Sequence, residues 1–73
     1  MAQHERTIEA HVKGNVVEAI DQADEFGGLE NAFFSYLQNT TDSVIADGYT
    51  AEEAFDAGNW YCTMFTEKTG HSF

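Results

Sequence analysis

A chain of 73 residues has room for one domain and lies near the lower size limit for a self-sufficient core, and its single cysteine, Cys62, rules out an internal disulfide. Thirteen Asp and Glu against three Lys and Arg leave a formal charge of −10, which argues against direct binding to nucleic acid or to an anionic membrane and favours basic partners. The polar opening, Met1 to Glu5, leads into no apolar run, so no signal peptide or transmembrane span is expected, and with a lone cysteine the expected location is cytoplasmic.

The first segment, 5–26, reads as a helix. Ile8, Val12, Val16, Ala19, Ile20, Ala23 and Phe26 recur at three- and four-residue spacing and fall on one face at helical pitch. Gly14 falls on the opposite, solvent side. A second reading takes the alternation of Ile8, Ala10 and Val12 as a short strand, with Asn15 capping a later helix and Glu18 closing its box. Gly27-Gly28 ends the segment in either case.

Residues 29–38 form the second predicted helix, with Leu29, Phe33, Tyr36 and Leu37 on one side. The run Asn39-Thr40-Thr41-Asp42 is rich in cap formers, so a short third helix is expected over 43–47, stopping at Gly48. Thr50-Ala51-Glu52-Glu53 matches the capping box and opens a last helix over 51–68. Ala51, Ala54, Phe55, Gly58, Tyr61, Cys62 and Phe65 line its predicted inner face. The expected class is therefore all-α, a small bundle of three to four helices forming one domain over 1–73, with frayed ends at about 1–4 and 70–73. The alternative is α+β, with a short strand near 6–12 and another near 60–66.

Motifs for chemistry are missing. No glycine-rich loop precedes a Lys-Ser or Lys-Thr pair. His4, His11 and His71 make no i, i+4 ligand pair, and zinc needs three or four ligands. Residues 42–53 have the length of a calcium loop, but Val44 and Ala46 stand where oxygen ligands are required. No enzyme, metal or cofactor is expected.

The acids carry the functional expectation. Asp21, Asp24 and Glu25 fall in the last turn of the first predicted helix, against the negative end of its dipole. Together with Glu18 they also make like-charge pairs. Asp47 repeats the arrangement before Gly48, and Asp56 lies one turn beyond Glu52 and Glu53, which cap the last helix. Acids that oppose local stability suggest a surface kept for binding. Duplex DNA carries about one charge per 1.7 Å of axis, and carboxylates on successive helix turns offer a comparable array. Size and charge also parallel the small acidic phage-encoded inhibitors of nucleoid proteins, restriction enzymes, repair enzymes and CRISPR effectors. The expected function is an inhibitor whose acidic face occupies a basic, nucleic-acid-binding protein.

Trp60 is the second signal. It points away from Phe55 and Tyr61 and shares its side with Glu53, Asp56, Met64 and Glu67. Exposed Trp60 and Met64 would make a binding hot spot, unless another helix or a second subunit covers them. Val17 and Phe34 also fall off their apolar stripes. The alternative function is an adaptor or structural module that binds a protein or itself, as a homodimer, through this apolar surface. Adaptation to high salt is a third reading of the charge, although Glu outnumbers Asp eight to five. The candidate partner-binding residues are Glu18, Asp21, Asp24, Glu25, Asp47, Asp56, Trp60 and Met64.

Overall fold

A computed structural model describes residues 4–73 and shows an all-α bundle. Helix α1 spans Ile8–Asp21, α2 Leu29–Ala46 and α3 Ala51–Thr69, with one 3-10 turn at Ala23–Phe26 between α1 and α2. The described residues contain no strand, so the α+β alternative falls. Its proposed strands, near 6–12 and 60–66, are largely helical.

Thr7 decides the start of α1. Its backbone is extended and its hydroxyl accepts a hydrogen bond from the Ala10 N–H at 3.1 Å, which satisfies one of the free donors of the first turn. The alternating Ile8-Ala10-Val12 pattern therefore lies in a helix. Val12, Val16 and Ala19 are fully buried along it, while Gly14 is exposed, as its register requires. The helix is shorter than its apolar stripe. After Gln22 the chain tightens into the 3-10 turn, and the Gly28 N–H closes it on the Ala23 carbonyl at 2.8 Å. Gly27 and Gly28 have φ of +88° and +131°, a region where a Cβ would be strained.

The region 39–42 departs from expectation. It is the middle of one continuous α2, so the bundle has three α-helices and no separate helix over 43–47. The cap-forming side chains bond within the helix or across to its neighbour. Thr40 donates its hydroxyl to the Tyr36 carbonyl at 2.7 Å and Thr41 to that of Gln38 at 2.9 Å. Asn39 donates to the Asn15 side chain on α1 at 2.6 Å. A hydroxyl bonded back to the preceding turn no longer competes with the helical backbone.

The capping box of α3 is complete. The Glu53 N–H donates to the Thr50 hydroxyl, and the Thr50 N–H donates to the Glu53 carboxylate. Each of the three helices packs on the other two. Tyr61 and Phe65 are fully buried beside Phe33, with ring centroids 5.5 and 4.9 Å from it. The Tyr61 hydroxyl donates to the Phe33 carbonyl at 2.9 Å, so the largest buried polar group has a partner. Gly58 lets α2 and α3 come close: a Cβ there would stand 3.4 Å from the Thr41 methyl and 3.5 Å from Leu37.

His4 stacks on Tyr49 at 3.7 Å, and Phe73 lies 5.4 Å from Phe33. Of the ends expected to fray, at about 1–4 and 70–73, residues 1–3 lie outside the described residues.

Asp47 ties the two ends of the first helical hairpin. It is the C-cap residue of α2. Its carboxylate accepts from the Glu5 N–H at 2.7 Å, the Arg6 N–H at 3.0 Å and His11 Nε2 at 2.8 Å. Its carbonyl accepts from His4 Nδ1 at 2.8 Å. The sequence places this acid against the dipole of its own helix. The fold sets it by the N-terminal approach to α1, where negative charge is favoured. Asp47 is thus a support of the fold, which corrects the expectation that it opposes stability.

These contacts hold the Asp47 carboxyl at about 2, below its ordinary 3.8. The Glu5 N–H is the largest cause, followed by His11, with burial opposing and the Arg6 N–H assisting. A depressed folded-state value means the stabilisation is complete above the ordinary value and is lost as pH falls toward the folded one. Asp47→Asn also turns an NH2 toward N–H donors. Thermal melts should show the wild type above Asp47→Asn at neutral pH, with the gap closing between pH 3.8 and about 2.

Candidate acidic surface and the groove beside it

The structure places Glu18, Asp21, Asp24 and Glu25 in solvent around the end of α1. Neither the last turn of α1 nor the 3-10 turn carries a basic residue. Glu18 and Asp21 occupy the last helical turn, three residues apart, where dipole and like charge both disfavour them. Asp24 and Glu25 differ from expectation. They open the 3-10 turn instead of closing α1, so the dipole argument applies to the first pair alone. Among the described residues, His11 with Asp47 is the only contact within 4.0 Å between a Lys, Arg or His side chain and a carboxylate. Arg6, Lys13 and Lys68 neutralise none of the carboxylates at that range.

The eight sequence-derived residues do not form one site. Glu18 and Asp47 line a common groove between α1 and α2. Asp56, Trp60 and Met64 lie on α3 and border neither described cavity. Asp56 is exposed and Trp60 is 42% exposed. Met64 is half-buried and packs against the core, so it is mainly a packing residue. The prediction for Phe55 fails: it is 68% exposed. Ala57, absent from the predicted inner face, is fully buried in the core. Val17 and Phe34 are exposed, and Ile45 joins them.

Sequence reasoning missed the α1–α2 groove. Its volume is about 430 Å³, and Arg6, His11, Asn15, Glu18, Asn39 and Asp47 are among its walls. His11 and Asn15 are buried and one helical turn apart. That i, i+4 pair of polar residues inside an apolar register was the available signal. Asn15 donates to the His11 carbonyl at 2.7 Å and accepts from Asn39. Ser43, also on the wall, donates to the Thr40 carbonyl, while His11 Nε2 is held by Asp47.

A second cleft, of about 440 Å³, continues past Glu18 and Asn39 and is bounded by Phe26, Ser35 and Tyr36. The Phe26 and Tyr36 rings meet edge to face at 5.5 Å. Burial raises the Tyr36 hydroxyl pKa, and the Glu18 and Glu25 carboxylates raise it further. Burial likewise pushes up the Cys62 thiol. Among the described residues, no group of three or more His, Cys, Asp or Glu is placed to hold a metal ion, and no helix is long and apolar enough to cross a membrane.

No family model matches the chain, and neither a curated protein nor a solved structure matches it.

The placement of the aromatics is directly testable by urea unfolding. Phe65→Ala should lose about 3–5 kcal/mol, the usual range for emptying a core aromatic site. Phe55→Ser should stay within about 0.5 kcal/mol of wild type, as surface substitutions do. Equal losses would return Phe55 to the core.

Proposed function

We propose that this protein is a non-enzymatic inhibitor that presents the acids around the end of α1 to a basic, nucleic-acid-binding protein. The observation that carries the reading is the exposed group Glu18, Asp21, Asp24 and Glu25, with no basic residue in its turns and no ion pair. Opposite charge steers such a surface toward a cationic groove. Asp56 extends the acidic character to α3. Asp47 is withdrawn from the binding surface because its oxygens are occupied within the fold. The reading places the protein in the cytoplasm with its partner, as an imitation of nucleic acid of the kind found among phage-encoded anti-host proteins.

Competition with DNA tests this. Basic proteins retained on a DNA resin from a cell lysate should be displaced by the wild type at low salt, with the effect fading as salt rises. The variant Asp21→Lys, Asp24→Lys, Glu25→Lys should displace none. Displacement by both proteins alike, or insensitivity to salt, would overturn the proposal.

A second reading rests on a different observation. Phe55, Ile45, Phe34, Val17 and Trp60 are between 42% and 68% exposed, and large exposed apolar side chains on so small a domain suit a protein interface. On this reading the chain is an adaptor that pairs with itself or with a partner through apolar contacts. It predicts a dimer in sedimentation that persists in high salt and is lost in Trp60→Ser or Phe55→Ser. A monomer at all concentrations would remove the self-pairing form.

A further inference from the structure

We infer that the cleft between Glu18, Phe26, Ser35, Tyr36 and Asn39 receives an arginine side chain of the basic partner, an assignment that rests on the proposed function and gives it a point of insertion. The cleft has room for one long side chain, and its walls combine three different features. Glu18 supplies a carboxylate with no cationic partner among the described residues. Phe26 and Tyr36 supply an aromatic corner, and Phe26 keeps 39% of its surface in water although it belongs to an apolar register. Asn39 supplies an oriented amide: its NH2 is fixed on Asn15, which leaves the carbonyl oxygen as an acceptor.

The chemistry of these walls selects guanidinium over other cations. A planar guanidinium stacks on an aromatic face and directs several N–H donors in its own plane. One edge can meet the Glu18 carboxylate while another reaches the Asn39 oxygen or the Ser35 hydroxyl. A lysine ammonium is a compact, strongly hydrated charge that uses the carboxylate and gains less from the rings. Anions are turned away by Glu18 in the wall and by the charge of Glu25, which is felt at Tyr36. Burial is the main cause of the raised Tyr36 hydroxyl, and the Glu18 and Glu25 carboxylates add to it.

The test is a titration of isotope-labelled protein with oligoarginine and oligolysine peptides of equal length at low salt, followed by amide chemical shifts. Oligoarginine should bind more tightly and move Glu18, Ser35, Tyr36 and Asn39. Glu18→Gln should weaken oligoarginine about tenfold, as expected for one charge-assisted contact, and Phe26→Leu should also weaken it. Glu30→Gln removes an exposed acid outside both described clefts and should change affinity by no more than about twofold, the scale of an exposed charge. Circular dichroism checks that each variant keeps its helix content. Equal losses in Glu18→Gln and Glu30→Gln, or equal affinity for the two peptides, would overturn the assignment. Binding abolished by the triple lysine variant but untouched by Glu18→Gln and Phe26→Leu would remove the cleft and leave the acidic surface standing. No binding of either peptide to the wild type would remove both.

Discussion

Asp47 stands where the end of α2, the approach to α1 and the ring of Tyr49 converge. Two backbone N–H groups and His11 Nε2 end on its carboxylate, and its side chain is 9% exposed. Without it the buried His11 ring would lose its acceptor beside the packed interface, and an unmatched polar group in such a place is unfavourable. The neighbouring contacts depend on the same placement. Tyr49 donates its hydroxyl to the Arg6 carbonyl, and its ring carries His4. With the start of α1 fixed, His11 and Asn15 are held in register, and Asn15 in turn meets Asn39 on α2. The groove walls therefore inherit their positions from an acid at the far end of the hairpin.

The aromatic core balances the charge. A chain at −10 with no Lys or Arg within 4.0 Å of a carboxylate among its described residues repels itself. Close aromatic contacts gather where α2 meets α3. Phe33, Tyr61 and Phe65 share close ring contacts, and Phe34 and Phe73 flank Phe33. The exposed acids at the end of α1 can remain uncompensated because packing elsewhere holds the helices. This division of labour is why charge and apolar surface can be read as separate functional features.

Local rules were legible where both partners lie within one turn. The Thr50–Glu53 box needs only four consecutive residues, and it formed as read. The buried stripe of α1 followed helical spacing through Val12, Val16 and Ala19. Legibility failed where a distant partner changed the meaning of a residue. Thr40 and Thr41 are good caps in isolation, but inside a packed helix their hydroxyls bond back to the preceding turn. Phe55 shares its helical side with Gly58 and Cys62, yet burial depends on where α2 lies, which spacing along α3 does not specify. Asp47 was misread most completely, because its favourable partners are some forty positions away in sequence. The exposed acids were legible as exposed, while the groove beside Glu18 was not, since its walls come from two helices and a turn.

The separation between residues 4–11 and Asp47 has a consequence in time. As the chain is synthesised, α1 can wind from its own cap, but its leading segment has no partners until Asp47 and Tyr49 have emerged. The pairing of α1 with α2 is then completed from the loop side outward, since residues near Gly27-Gly28 are already neighbours while the clamp must close a long loop. Fastening of the N-terminal segment thus belongs to the late stage of folding. Until then the His11 ring and the Glu5 and Arg6 N–H groups stay apart from the carboxylate that will gather them.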